Sequence, residues 1–476
     1  MRLHRLILAT GMVGLAACRT IGPDYQLPDT SIYRDAQANG AFLESGNPSA
    51  TTTAPLPDRW WELYHDDTLN ALIRQALDDN HELKVASANL ERAAALHQQA
   101  LDMAGFKAAA NAGTSRTQLS PESFVLNEDL PTFTLASATL GMSYQLDMFG
   151  KFKRVTEAAE ADEQAVAAAL DLARIALVAE VAGSYADICH ANHELHVAGQ
   201  VVQLQRENLQ LVDRMIKAGR GTPQQRAQAD AAVAHSQSRL PPLRAHRQAT
   251  EYRLAALLGR LPGQLPAGVV DCHHAPELSA PMPIGDGAAL LKRRPDIRQA
   301  ERQLAGATAR VGVALGELYP DIRLGASVGA AGLLQDFGNS LTRQWSIGPL
   351  ISWTMPTKGT HARIRASEAG AEAALARFDA QVLEALRETQ TSLSRYAHDL
   401  DRLQDVQQAY QQAAVIARQE TRLYQTGRTP YRTRLAADLA LSNAESALAD
   451  VQAQVSRDQI QLFLALGGGW GDVSTP

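Results

Sequence analysis

Three groups of residues in this 476-residue chain have types and spacings that could do chemistry. Gly325-Ala326-Ser327-Val328-Gly329 has the G-x-S-x-G form of a nucleophile elbow, in which a sharp strand-to-helix turn lifts a serine hydroxyl towards a base. His190, His193 and His196 fall at i, i+3 and i+6 of a helical pattern, on one side of it and beside Cys189. Imidazoles so arrayed suit zinc or copper. Cys272-His273-His274 adds a thiol and two imidazoles in a proline-rich stretch.

The elements that would have to position these groups argue against each chemistry. Ser327 lies inside a run where Ile322, Leu324, Ala326, Val328 and Ala330 alternate with Asp321, Arg323, Gly325, Ser327 and Gly329, which is a strand and not a turn. The elbow is a chance match. The histidine triplet lacks the H-E-x-x-H arrangement, and no carboxylate completes an obvious site, so solvated or wall-lining histidines are the expectation. The chain is therefore expected to be no enzyme, with no cofactor and no metal.

Further runs share the period of two. Ala138, Leu140, Met142, Tyr144 and Leu146 alternate with small polar residues, as do Trp345, Ile347, Ile351 and Trp353. Ala108 to Ser115 is a weaker fourth run. One apolar and one small polar face over about ten residues is the pattern of transmembrane barrel strands. Tyr144, Trp345 and Trp353 would stand in the membrane girdle, the two tryptophans about 26 Å apart along a strand. Four strands cannot close a barrel, so the barrel must be shared between chains.

Between the strand pairs lie segments of another kind. Residues 151–217 and 361–425 contain no proline, and alanine-rich apolar positions recur at three- and four-residue spacing, as in Ala158, Ala161, Ala165, Ala168 and Leu172. Each predicts a helix on the order of 100 Å long. Each stops at a Gly/Pro turn: Gly219, Gly221, Thr222 and Pro223 in the first, Gly427, Thr429 and Pro430 in the second. A return helix follows each turn.

The whole body is a tandem duplication. Residues 80–113 return about 214 positions later as 294–327, and Leu257-Leu258-Gly259 returns as Ala465-Leu466-Gly467 at an offset of about 208. The predicted domains are a signal segment at 1–17, an extended N-terminal segment at 18–65, repeat 1 at 66–260, a linker at 261–286, repeat 2 at 287–467 and a tail at 468–476. Within the repeats, strands are expected at about 108–116, 134–146, 321–331 and 343–354. Helices are expected at 150–217, 223–259, 360–426 and 431–466.

The N-terminus gives the compartment. Arg2 and Arg5 precede an apolar stretch from Leu6 to Leu15, and Leu15-Ala16-Ala17-Cys18 ends it. That ending resembles the lipobox of bacterial lipoproteins, which implies cleavage between Ala17 and Cys18 and acylation of Cys18, with Arg19 favouring the outer membrane. Several acyl chains anchor a protein stably without a spanning helix. With 45 Lys+Arg against 51 Asp+Glu, a net charge of -6 and no basic stripe, nucleic-acid binding has no electrostatic support. Cys189 and Cys272 remain, and the sequence leaves both pairing and separate burial open.

Together these residues resemble a known family. Cys18-Arg19-Thr20-Ile21-Gly22-Pro23-Asp24-Tyr25, Trp60-Trp61, Tyr144-Gln145-Leu146-Asp147-Met148-Phe149-Gly150-Lys151, Arg293-Arg294-Pro295-Asp296-Ile297, Tyr319-Pro320 and Ala465-Leu466-Gly467-Gly468-Gly469-Trp470 are similar to the motifs of the outer membrane factor lipoproteins. These are the OprM-like, NodT-type channels of tripartite efflux pumps, with a TolC-like fold. The resemblance implies a mainly helical homotrimer in which each chain gives four strands to a shared twelve-stranded transmembrane β-barrel and the long helices form a periplasmic tunnel. It also implies a periplasmic adaptor, an inner-membrane resistance-nodulation-division (RND) pump and outer membrane lipid as partners.

On that reading the function is gated passage of small molecules. The two Gly/Pro turns would form the periplasmic tip, the gate and the adaptor contact. Relatives often carry an aspartate after the second-half glycine, where this chain has Thr429-Pro430, and Arg422, Arg428, Arg432 and Arg434 make the tip basic. A less cation-selective pore is expected. Two other readings are an exit duct for type I protein secretion, of the same architecture with different partners and disfavoured by the lipobox and the Gly-Gly-Gly-Trp end, and a structural coiled-coil lipoprotein of the periplasm, which leaves the four strand runs unexplained.

Overall fold

The computed structural model describes residues 20–43, 50–125 and 127–468. Ala17, Cys18 and the Gly469-Trp470 end lie outside them. The chain runs through β1 (Thr51–Thr52), α1 (Asp67–Asp79), α2 (His81–Met103), β2 (Phe106–Thr117), β3 (Phe133–Leu146), α3 (Lys151–Lys217), α4 (Pro223–Ser238), α5 (Leu240–Leu257), α6 (Ala267–Val270), β4 (Met282–Pro283), α7 (Gly287–Arg293), α8 (Pro295–Gly316), β5 (Asp321–Leu333), β6 (Arg343–Ser352), α9 (Lys358–Gln425) and α10 (Tyr431–Ala465). The duplication is visible as helix, two strands, a very long helix and a return, repeated.

Both long helices match the proline-free stretches, with 67 and 68 residues. The first return helix departs from expectation. It breaks at Arg239, because Pro241 and Pro242 supply no amide protons and crowd the preceding turn, so α5 restarts with proline in its first turn. Its counterpart α10 has no proline within it and runs unbroken for 35 residues.

One compact unit gathers Asn89–Val166 and Gln299–Phe378 with the described chain up to Pro28. Its sheet is antiparallel, in the order β2-β3-β5-β6. The registers line up one apolar face: Phe106, Tyr144, Leu324 and Pro349 form one row, and Ala110, Leu140, Val328 and Trp345 another. Below the sheet, the Asp147 carboxylate caps α3 by accepting from the Phe152 and Lys153 amides at 3.2 and 2.9 Å. Phe149 stacks on Tyr319 at 4.7 Å. The buried Arg154 side chain donates to the Ile21 and Gly22 carbonyls at 3.0 Å each and pairs with Asp24 and Glu157. Gly22 is required there: its φ is +88°, and a Cβ would lie 2.5 Å from Gly312 Cα.

The second unit gathers Asp29–Ala88, Ala167–Arg298 and the chain from Asp379 onward. Its core holds Trp60, Trp61, Tyr64, Leu69, Ile73, Ile188, Leu254, Leu258 and Phe463, with Trp60 stacked on Phe463 at 4.4 Å. The described residues of the N-terminal segment, expected to be extended, pack onto this core. Phe42, Ala50 and Leu56 are buried in this core, and β1 pairs parallel with β4 of the linker. A few large apolar residues suffice to dock an extended chain. Cys189 of α3 and Cys272 of the linker form a disulfide. Asn192, one turn on, donates to the Val270 and Cys272 carbonyls at 2.7 Å each.

Candidate functional site: hairpin turns and sheet face

The first turn is built from backbone bonds that end α3. Gly219 at φ +70° lets the Arg220 amide reach the Met215 carbonyl at 2.8 Å and its own amide reach Ile216 at 2.9 Å. Thr222 then caps α4 in a reciprocal box with Gln225, Pro223 taking the first helical position. Gly221 has no room for a side chain, since a Cβ would lie 2.6 Å from Ile216 Cγ1. Arg226 pairs with Asp213 at 2.9 Å and Asp230 at 3.1 Å, tying α4 to α3.

The second turn repeats the scheme. Gly427 at φ +69° lets the Arg428 amide reach the Leu423 carbonyl at 2.8 Å, and Pro430 stands before α10. Arg422, Arg428 and Arg432 are exposed, whereas Arg434 turns back to Asp438 at 3.3 Å. The Thr429 hydroxyl is buried without a hydrogen-bond partner. Sequence reasoning missed the aromatic clasp around this turn. Tyr424 and Tyr431 meet edge to face at 5.5 Å, the Arg434 guanidinium lies 5.6 and 5.8 Å from their ring centres, and the Tyr431 hydroxyl donates to Glu207 of α3 at 3.1 Å. Burial, then Glu207, raises the Tyr431 phenol above its ordinary value, so it stays a donor. The signal available in sequence was two tyrosines flanking a Gly/Pro turn.

The sheet face is the other functional surface. All ten residues of β6 are exposed, and β2 is exposed along nearly its whole length. Both are edge strands, twelve and ten residues long, with unpaired backbone donors and acceptors. Trp345 is 78% exposed and Tyr144 49%. Trp353 falls just past the end of β6 rather than inside it, and its indole donates to the Leu318 carbonyl at 3.1 Å.

The residues that could have done chemistry are placed elsewhere. Ser327 faces Ser346 across β5 and β6, hydroxyl to hydroxyl at 2.8 Å, on the polar side of the sheet. His190 is half-buried with Nε2 unpartnered, and burial, reinforced by Arg457 and His193, pushes it down to about 4. His193 is lowered too, first by burial, and His196 contacts Gln200 at 3.0 Å. Among the described residues, no three His, Cys, Asp or Glu side chains are gathered to hold a metal ion. No described helix is long and apolar enough to cross a membrane.

A family model described as outer membrane efflux protein matches residues 72–260 and 288–468. The chain belongs to the outer membrane efflux protein family. It is 27% identical over 471 residues to "Nodulation protein T" of Rhizobium leguminosarum bv. viciae, covering 99% of this chain and 94% of that one. It is 29% identical over 498 residues to "Toluene efflux pump outer membrane protein TtgF" of Pseudomonas putida, covering 100% and 98%. Among solved structures, the outer-membrane channel OprN matches with a TM-score of 0.84 at 31% identity, over 95% of this chain and 100% of that one. The open state of the Neisseria gonorrhoeae MtrE channel matches at 0.79 and 25%, over 95% and 98%.

As an outer membrane efflux protein, the chain is a channel of the outer membrane and not an enzyme. Its two matched segments leave between them the stretch that carries Cys272. The fold is that of the TolC-like channels, helices with a four-stranded sheet.

Proposed function

We propose that this protein is the outer-membrane duct of a tripartite RND-type efflux pump, anchored through acylated Cys18 and assembled as a homotrimer. The observation that carries the assembly is the sheet itself. Its apolar rows run through all four strands, and its long edges β2 and β6 are open. A lipid-facing sheet must satisfy every edge group, and four strands fall short of the eight needed to close. Three copies, joined β6 to β2, give twelve strands, an even number within the range of such barrels. Tyr144, Trp345 and Trp353 then face the membrane at its girdles.

The hairpin turns form the gate and the contact for a periplasmic adaptor: Gly219, Gly221, Thr222 and Pro223 on one side, Arg422, Gly427, Arg428, Thr429, Pro430 and Arg432 on the other. In the closed state, the Tyr431 bond to Glu207 holds α10 of the second repeat to α3 of the first. The adaptor opens the gate only by binding the open state more tightly. Exposed Arg422, Arg428 and Arg432 make the tip cationic, so its cation preference is weak. Strong cation preference in single-channel reversal potentials would contradict that.

The test is conductance of the purified protein in a planar bilayer beside its mass in detergent. Trimer-sized particles that stay mostly closed, and conduct once Tyr431 is replaced by Phe, support the gated duct. Monomers without conductance under any condition sink it, and return the chain to the structural lipoprotein. Co-purification with an adaptor of an RND pump, rather than of a type I secretion system, separates the two kinds of duct.

A further inference from the structure

A cavity of about 420 Å³ lies within the second unit, and the efflux reading gives it no role. Two helices and the linker enclose it. Tyr396, Leu400 and Leu403 line it from one face of α9, at four- and three-residue spacing, and Val455, Ser456 and Gln459 line it from one face of α10. Residues 275–281 of the linker complete the walls, with His190 of α3. That stretch of linker is pinned at both ends, by the Cys189–Cys272 disulfide before it and by the pairing of Met282 with Thr51 after it. The cavity is therefore preformed, as small-molecule sites usually are.

Hydrogen bonding inside it is incomplete. Gln459 accepts from the Tyr64 hydroxyl at 3.4 Å and donates to Tyr396 Oη at 3.3 Å. Tyr396 is 5% exposed, and among the described residues its own proton has no acceptor. Burial raises this phenol above its ordinary value, so it keeps that proton. His190 Nε2 is also buried without a partner. A buried donor is met by an acceptor in nearly every native fold, and the cavity is where an acceptor for Tyr396 can stand.

The lining limits what the acceptor can belong to. Among the described residues no Lys or Arg lines the cavity, so a carboxylate or phosphate would enter without a counter-charge. Arg457, near His190, is turned to Asp187 at 3.3 Å. Burial first, then Arg457 and His193, pushes His190 down to about 4, which leaves the imidazole neutral at neutral pH and disfavours a cation beside it. A neutral hydroxyl suits both unmet groups, since it accepts from a phenol and can meet Nε2 in either tautomer. Leu278, Leu400, Leu403 and Val455 offer the rest of the ligand an apolar surface.

We propose that this cavity is a binding site for a compact neutral phenol or aryl alcohol, held by the Tyr396 hydroxyl and joining the linker to α9 and α10. The site does not depend on the function proposed above.

The test is fluorine NMR of para-fluorophenol with the full-length oligomer in detergent, beside para-fluorotoluene, which lacks the hydroxyl, and para-fluorobenzoate, which is charged. Uptake into micelles is common to every variant, so differences between variants report the site. Wild type should bind para-fluorophenol saturably and para-fluorobenzoate not at all. Tyr396→Phe should weaken para-fluorophenol about 5–10-fold, the worth of one hydrogen bond, without weakening para-fluorotoluene. Leu400→Trp fills the cavity and should abolish saturable binding of both. Para-fluorophenol should also slow proteolytic cutting within residues 275–281 in wild type and not in Leu400→Trp. The site is overturned, and the cavity left to water, by an equal response of wild type and Leu400→Trp, by saturable binding of para-fluorobenzoate, or by a Tyr396→Phe variant that binds para-fluorophenol as wild type does. Should Leu400→Trp fail to fold, Tyr396→Phe alone decides.

Discussion

Arg294 and Asn80 occupy equivalent places in the two repeats and do the same job with different chemistry. Asn80 donates to the Leu257 carbonyl at the end of α5 at 3.0 Å and caps α2 through the Leu83 amide at 2.9 Å. Arg294 donates to the Ala465 carbonyl at the end of α10 at 2.9 Å, and pairs with Asp296 and with Glu388 at 2.8 Å. Each closes a helix whose last turn runs into a left-handed glycine, Gly259 at φ +65° and Gly467 at φ +77°. Arg294 is buried, and removing it takes the charged partner from the little-exposed Asp296, which keeps Gln381, and leaves the Ala465 carbonyl to Thr389 alone. Arg294→Ala should cost about 3–5 kcal/mol in denaturant unfolding, against about 1–3 kcal/mol for Asn80→Ala, which leaves only neutral groups unpaired. Tyr431→Phe is the contrasting case. Its hydroxyl bond to Glu207 is part-exposed, so the loss in stability is about 1 kcal/mol, while open probability in a bilayer rises.

Among the elements, the linker shows what a covalent tie adds. Residues 261–286 carry one four-residue helix and one two-residue strand, yet Val269 and Met282 are fully buried. The disulfide joins Cys272 to Cys189 across a sequence separation of 83 residues, and Asn192 binds the same stretch. Closing a loop of that length stabilises by about 2–4 kcal/mol. A Cys189→Ser, Cys272→Ser variant should lose that much in denaturant titration, and limited proteolysis should cut first within the linker. Wild type under strong reductant should behave likewise.

The elements also show which features were legible in the sequence. Long helices were, because proline-free alanine seams admit few alternatives, and the strands were, because one apolar face in period two repeats across both halves. The register that aligns Ala110 with Leu140, Val328 and Trp345 takes in even the weakest run. The disulfide was not legible, since pairing depends on where α3 passes the linker, a distance no local pattern encodes. Nor was the burial of Phe42 and Leu56, because composition reports the average of a segment and docking needs only a few residues. The clasp of Tyr424, Tyr431, Arg434 and Glu207 escaped for a related reason: its members come from three helices, and each alone reads as an ordinary surface residue.

At the scale of the whole molecule, the two faces of the sheet predict opposite responses to the same substitution. Val328 and Ile347 stand on the apolar rows, 57% and 77% exposed in the single chain, an exposure that has meaning only if lipid covers it. Gln344 is next to Trp345 in β6, so its side chain points to the opposite face. Arginine at a lipid-facing position near the midplane costs about 2–4 kcal/mol per chain, and a trimer incurs that cost three times in one barrel. Val328→Arg and Ile347→Arg should therefore abolish the heat-modifiable oligomer and its insertion into vesicles, while the helical circular-dichroism signal persists. Gln344→Arg, facing the interior, should leave the oligomer intact and change only its conductance. Equal tolerance of both kinds of variant would mean that the apolar rows do not meet lipid, and the shared barrel would have to be abandoned.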